Sequence, residues 1–284
     1  AADSASVLAE LAKEADKAKL KALQWRISAW KSALVEPNAA LSLAEDDLGL
    51  AAARLYGDYE QALRAYQAVD FDDLIRLPVR LFESEADVLL RWQGKLQYLL
   101  VDEYQDTNRS QYRLLRLIAG ERAAFTAVGD DDQAIYAWRG ADVENLRVLQ
   151  ADFPQLKVIK LEQNYRSMQR ILKAANALIG NNEKLFEKRL WSEHGHGDAI
   201  QVNVARDNEQ EAEQVVMKLM AHRFEHRGQW RDYAILYRGN HQARAIEQQL
   251  RAQRIPYVIS GGQSFFDRAE IKDITCYLRL LANP

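Results

Sequence analysis

Residues 4–68 carry apolar side chains at helical spacing. Leu8, Leu11, Ala12 and Ala15 form one stripe, and Leu20, Leu23, Trp25 and Ile27 extend the apolar content. The stretch is rich in Ala, Leu, Lys and Glu and lacks Val–Ile alternation, so it predicts helix throughout. Glu36-Pro37-Asn38 marks a helix end and restart, with a second long helix over about 43–67. From residue 69 the pattern changes. Short apolar runs at Tyr98–Val101, Phe125–Val128 and Val158–Leu161 alternate with helical periodicity near 108–119, 143–151, 167–180, 208–226 and 240–253. Ile200–Val204 alternates strictly, as a half-exposed strand does, and Tyr233–Tyr237 and Tyr257–Ile259 complete the set. Strands alternating with helices predict an α/β fold with a mainly parallel sheet. Gly261-Gly262 reads as a hinge that leads through Phe265-Phe266-Asp267 into a last helix.

In a parallel sheet, ligands bind beyond the carboxyl ends of the strands. The polar clusters stand there. Asp102-Glu103 follows the first apolar run, Gly129-Asp130 the second and Glu162-Gln163 the third.

The totals narrow the setting. A chain of 284 residues suits about two domains at ~150 residues each. A net charge of -3 excludes a global basic field, so any nucleic-acid site is a local groove of cations and aromatics. One cysteine, Cys276, cannot form an intrachain disulfide and fits a reducing compartment. No apolar run reaches the ~18 residues of a membrane span. Ala1-Ala2-Asp3-Ser4 is not a signal peptide. The expectation is a cytoplasmic protein without membrane partners. The missing initiator Met points to a chain that begins inside a longer protein.

Four clusters are candidates for chemistry. In the first, the run ending at Val101 delivers Asp102 and Glu103 side by side. One carboxylate can hold Mg²⁺ while the next orients or deprotonates an attacking water; an acidic turn explains the pair equally well. In the second, Gly129-Asp130-Asp131-Asp132-Gln133 runs into Tyr136, Trp138 and Arg139. Gln133 is a neutral amide suited to reading a γ-phosphate or the water beside it. The two aromatics and the guanidinium suit stacking on single-stranded bases, worth roughly 1–3 kcal/mol per base. The competing reading is a solvated turn followed by a core Trp. The third is Gln163-Asn164-Tyr165-Arg166-Ser167, with Arg166 for a phosphate and Tyr165 for an adenine face; the plainer reading makes Ser167 a helix N-cap. The fourth, Asp70-Phe71-Asp72-Asp73, is either a metal cluster or, more simply, an acidic helix start. His194 and His196 have no Cys or His partner at zinc-ligand spacing. The phosphate loop Gly-x-x-x-x-Gly-Lys-[Ser/Thr] does not occur; the lone Gly94-Lys95 pair continues into Leu96.

Taken in series, Asp-Glu-Tyr-Gln-Asp at 102–106, Gly-Asp-Asp-Asp-Gln at 129–133 with Ile-Tyr-Ala-Trp-Arg-Gly-Ala at 135–141, and Gln-Asn-Tyr-Arg-Ser at 163–167 resemble motifs II, III and IV of the Rep/UvrD/PcrA group of superfamily 1 DNA helicases. Leu-Tyr-Arg at 236–238, Ile-Ser-Gly-Gly at 259–262 and Glu270-Ile271-Lys272-Asp273 are similar to that group as well. The wording around 158–167 and 187–190 is nearest to its Rep-type branch. Ala134 and Ala137 stand where such sequences often have Ser. The resemblance implies partial RecA-like (P-loop NTPase-type) parallel-sheet domains and an N-terminal all-helical insertion. It divides the chain into an insertion subdomain at 1–83, the second half of the first RecA-like domain at 84–163, the first half of the second at 164–262, and the start of another insertion at 263–284.

The implied cofactors are ATP and Mg²⁺. The metal would be held by Asp102 with Glu103, and Glu103 would act as base. Gln133 would couple the γ-phosphate to DNA, Tyr165 would stack on adenine and Arg166 would serve as arginine finger. Tyr136, Trp138 and Arg139 would contact single-stranded DNA. The implied partners are single-stranded DNA, duplex junctions and replication or repair proteins, and the implied movement is 3′ to 5′. Without the phosphate loop, these 284 residues alone are expected to be inactive. The alternative is a non-catalytic DNA- or protein-binding module, which the missing loop favours and the intact Asp102, Glu103, Gln133 and Arg166 oppose. A helicase–nuclease subunit carries the same motifs.

Overall fold

A computed structural model describes residues 2–260 and 269–282, so Gly261, Gly262, Phe265, Phe266 and the proposed boundary at 262/263 lie outside the described residues. The chain divides into two compact units, residues 1–198 and 199–284.

The first unit opens with α1 (Ala2–Ala12), α2 (Lys17–Ser32), the single turn α3 (Pro37–Ala40) and α4 (Asp47–Ala65). Asp16 caps α2 by accepting the Ala18 and Lys19 amides, and Asp46 caps α4 by accepting the Gly49 amide. Along α4, Ala52, Tyr56, Tyr59 and Leu63 recur at helical spacing and are buried against Leu8, Leu23, Ile27 and Trp30. The expected helical region with its break at Pro37 is therefore present. Trp25, part of the apolar content read for α2, lies on the surface.

Two further helices, α5 (Asp73–Ser84) and α6 (Ala86–Lys95), occupy a stretch that the apolar pattern does not set apart. Charge fixes α5 in place. Fully buried Lys31 of α2 donates to Asp70 at 2.7 Å and Asp73 at 2.9 Å, and lies 3.3 Å from Glu60 of α4. Arg76, also buried, pairs with Asp73 at 3.1 Å and with Glu60. Asp70 and Asp73 thus belong to a helix start held by internal cations. Asp70 accepts the Asp73 amide at 2.9 Å, as a cap does. Burial works to raise the Asp70 pKa, but the hydrogen bond and charge of Lys31 outweigh it and hold the carboxyl below its ordinary value. Glu60 behaves likewise, with Arg76 the first opposing partner.

Beyond α6 the chain forms β1 (Leu99–Val101), α7 (Arg109–Ala119) and β2 (Phe125–Ala127). The strands pair in parallel, Leu99 opposite Phe125 and Val101 opposite Ala127. A parallel pair needs a crossover, and α7 supplies it. Asn108 and Gln111 start α7 with a reciprocal capping box, and the chain leaves it through Gly120 at φ +54°. Tyr112, Leu115 and Ala119 face Phe125, together with Leu149 of α8 (Glu144–Asp152). Phe125 and Phe153 meet edge-on with ring centroids 4.8 Å apart. Helix α9 (Gln169–Ile179) follows in the same unit.

The second unit contains α10 (Asn208–His226), α11 (Ala243–Ala252) and α12 (Ala269–Ala282). Val216, Leu250 and Ile255 form its core, with Ile235 and Tyr257 packed on them. The helix expectations at 108–119, 143–151, 167–180, 208–226 and 240–253 each correspond to a helix within a few residues.

The strand expectations fare differently. Among the described residues only β1 and β2 form a ladder; the runs at 158–161, 200–204, 233–237 and 257–259 do not. A strand exists through the hydrogen bonds of its neighbour, and these runs have none alongside. Their burial shows the consequence. Tyr233, Ile235 and Tyr237 are half-buried while Leu236 is 93% exposed, and Val202 and Val204 are 87% and 89% exposed. The architecture is α/β with a helical insertion, mostly helical and with a small parallel sheet. No described helix is long and apolar enough to cross a membrane.

Candidate functional site

The carboxyl ends of β1 and β2 lie side by side, and two turns leave from them. After β1, Asp102 and Glu103 are both exposed, and Asp102 Oδ1 accepts the Glu103 amide at 2.9 Å. Glu103 adopts left-handed backbone angles, φ 49° and ψ 43°. For a residue with a Cβ this costs of order 1–2 kcal/mol, and such strain persists where the surroundings hold it. Here the Tyr104 amide bonds to the Val128 carbonyl at 2.9 Å, and the buried Tyr104 hydroxyl donates to the Asn145 carbonyl at 3.3 Å. Asn145 in turn donates to the Thr107 carbonyl at 2.9 Å, so the start of α8 braces the turn.

After β2, Asp130 accepts the side-chain amide of Gln133 at 2.7 Å. The two turns are joined by Gln105, whose amide spans from Glu103 to the Asp130 backbone. The structure therefore brings together Asp102, Glu103 and Gln133, three of the residues singled out in the sequence.

Lys188 is a member that the sequence reading missed. Its ammonium pairs with Asp130 and Asp131 and lies 3.3 Å from Asp132. The carboxylate oxygens of these three residues are spaced as metal ligands could be, but the Lys188 cation already sits among them. Burial works to raise the Asp130 pKa, yet the Lys188 and Gln133 hydrogen bonds outweigh it and hold the carboxyl below its ordinary value. Conversely, Lys188 is held above the usual lysine value by Asp130 and Asp131 despite the opposing effect of burial. Lys188 stands in the Glu-Lys-Arg-Leu wording at 187–190, but nothing in that wording tells that its ammonium meets these acids; the folded chain does.

The Gln163–Ser167 turn is separate from this set. Gln163 bridges Trp191 in parallel, and Asn164 Oδ1 accepts the amides of Arg166 and Ser167 at 3.0 and 2.8 Å. Tyr165 is 77% exposed and its hydroxyl donates to Gln163 at 2.9 Å. Arg166 is exposed. Ser167 is not the N-cap: α9 begins at Gln169, after Met168, which makes no side-chain cap bond. Segment 186–191 runs between the two sets, with Lys188 on the acids, the Arg189 amide on Glu162 at 2.8 Å, and Trp191 paired beside Gln163.

Tyr136 precedes, and Trp138 lies within, the single turn Ala137–Arg139, which is closed by Gly140 at φ +88°. Their ring centroids are 6.4 Å apart with planes tilted by 51°. Trp138 is 62% exposed, so it is a surface ring and not the core Trp of the competing reading. The side chain of Arg139 lies outside the described residues.

The donor set fits the implied groups. Asp102 and Glu103 offer the hard oxygen donors that Mg²⁺ takes, at the strand end where a parallel sheet receives ligands. Tyr165 offers an open ring face and Arg166 a permanent cation, as a nucleotide requires.

Comparison with known proteins gives the following likenesses. A family model described as the UvrD/REP helicase N-terminal domain matches residues 2–154, and one described as the UvrD-like helicase C-terminal domain matches residues 159–284. ATP-dependent DNA helicase Rep of Escherichia coli (strain K12) is 55% identical over 99% of this chain and 42% of its own length. Rep of Buchnera aphidicola subsp. Acyrthosiphon pisum is 47% identical over 93% of this chain and 41% of its own. ATP-dependent DNA helicase PcrA of Staphylococcus epidermidis (strain ATCC 12228 / FDA PCI 1200) is 44% identical over 90% of this chain and 35% of its own. The chain thus spans 35–42% of the length of these relatives.

Proposed function

We propose, from the premise that this chain belongs to the UvrD/REP helicase family, that it is part of an ATP-driven translocase that moves 3′ to 5′ on single-stranded DNA and unwinds duplex at junctions. The observation that carries the reading is the hydrogen-bonded set of Glu103, Gln105, Asp130 and Gln133 beyond the ends of two parallel strands. Bound Mg-ATP supplies the phosphoryl group and the counter-charge for its transfer.

Asp102 would hold the metal. Glu103 orients the attacking water and takes its proton. Gln133 contacts the γ-phosphate side of the site and passes its state along the turn that presents Tyr136 and Trp138. Those rings, with Arg139, hold bases by stacking that tolerates any sequence. Tyr165 stacks on adenine, and the fixed charge of Arg166 stabilises the developing negative charge. The likeness to Rep and PcrA, named as ATP-dependent DNA helicases, supports this assignment. The proposed division is a helical insertion at 1–83, the C-terminal half of the first RecA-like domain at 84–163, the first half of the second at 164–262 and the start of a further insertion at 263–284. Replication or repair proteins are the partner class that follows.

Because the 284 residues include no phosphate loop, the chain by itself is proposed to lack turnover. The full-length protein tests the reading. It should hydrolyse ATP faster with single-stranded DNA and displace a strand from a duplex bearing a 3′ tail. Displacement only from a 5′ tail reverses the direction, and no DNA-stimulated hydrolysis at all favours the non-catalytic module.

A further inference from the structure

Gln105 is 2% exposed, and both ends of its amide are engaged. Nε2 donates to Glu103 Oε2 at 2.7 Å, and Oε1 accepts the Asp130 backbone amide at 3.0 Å. A carboxylate can only accept and a backbone N–H can only donate, so these partners fix the amide orientation without ambiguity. The neighbouring backbone is shaped around it. A Cβ at Gly129 would lie 2.8 Å from Gln105 Oε1 and 3.3 Å from Tyr104 Cβ, so a side chain there would press on this amide and disturb its seat. The Asp130 carboxylate then accepts Gln133 at 2.7 Å, which continues the chain of bonds from Glu103 to Gln133.

We propose that Gln105 is the positioning residue of this site: it holds the Glu103 carboxylate in its working orientation and ties it to the Asp130–Gln133 turn, so that the state of that turn sets the placement of the base. The inference rests on the reading of Glu103 as base. The amide offers both the donor that Glu103 needs and the acceptor that the Asp130 N–H needs. Leu fills the space but makes neither bond. Glu keeps the acceptor for the Asp130 amide and sets a second carboxylate against Glu103.

The test is single-turnover and steady-state ATP hydrolysis by the full-length protein carrying Gln105→Leu or Gln105→Glu, each alone and combined with Glu103→Gln. Expected are a ~10- to 100-fold loss of kcat in both single variants, the size of effect a misplacement of about 1 Å produces, and a nucleotide KM within about twofold of wild type. Since Gln105 acts through Glu103, neither change should reduce the residual turnover of Glu103→Gln further. A purely structural role gives another pattern, with KM, kcat and melting temperature shifting together and losses multiplying in the double variants. That pattern overturns the proposal, as does near-normal kcat in Gln105→Leu. Should Gln105→Leu fail to fold, Gln105→Glu, which retains the Asp130 bond, decides alone. Wild-type protein with no hydrolysis would instead refute the function proposed above, and this inference with it.

Discussion

At the scale of single residues, the site combines exposure for contact with burial for placement. Asp102, Glu103, Tyr165 and Arg166 face solvent, whereas Gln105, Tyr104 and Asn145, which place the first of the two turns, are buried. Trp138 separates binding from folding cleanly. Because it is 62% exposed, Trp138→Ala should change unfolding free energy by no more than about 0.5 kcal/mol. Loss of one stacked base should weaken single-stranded DNA binding by ~1–3 kcal/mol. Fluorescence anisotropy on labelled DNA, beside nucleotide titration, measures both. An equal loss of DNA and nucleotide affinity would assign Trp138 to the fold.

Asp102, Glu103 and Gln133 were legible because each follows an apolar run, and the run's end is where a parallel sheet receives ligands. Gln105 and Lys188 were not. Gln105 stands in the 102–106 motif with no sign of what it bonds, and Lys188 is recruited from 58 and 57 residues away in sequence by Asp130 and Asp131.

At the scale of elements, the buried charges joining α2, α4 and α5 hold the helical region to α5. Lys31 is surrounded by Glu60, Asp70 and Asp73 and is fully buried. Lys31→Met would take from Asp70 its paired cation and leave Asp73 to Arg76 and Glu60 to Arg76 and Arg64. Removing one partner of a buried pair costs about 3–5 kcal/mol, so urea unfolding should show a loss of that size; less than ~1 kcal/mol would mean that water reaches the cluster.

The same cluster predicts an acid limit. Asp70 and Glu60 have folded pKa values below their ordinary ones. Their contribution is therefore present above the unfolded carboxylate pKa, about 4, and is lost as pH falls through the lower folded value. Stability should decline below about pH 4, and Lys31→Met should flatten that decline. A parallel decline in wild type and variant would contradict the assignment.

Helices were read well from periodicity because a helix satisfies its own backbone. Strands were read less well. The run at 233–237 keeps the alternation of a strand, with Leu236 outward and Ile235 inward, but the ladder depends on a neighbour that no local pattern supplies.

At the scale of the whole molecule, the chain carries Asp102, Glu103, the Gln133 amide, the Tyr136 and Trp138 rings and the Tyr165–Arg166 turn to which the proposed function gives roles. Leu100, Leu161, Val202, Val204, Leu236 and Val258 are each at least 80% exposed. Two of these lie in the first unit and four in the second, and apolar side chains this open favour association where they adjoin one another. The 284-residue chain by itself should bind a hydrophobic dye and self-associate as its concentration rises, as sedimentation would show. A dye-silent monomer would mean that these side chains are covered within the chain.

The most direct test of the central claim is Glu103→Gln in the full-length protein, with nucleotide affinity and DNA-stimulated ATP hydrolysis measured side by side. If Glu103 is the base at the end of β1, nucleotide binding should be retained while turnover falls by about 10²–10⁴-fold. Turnover near wild type would remove Glu103 from that role and with it the site described above.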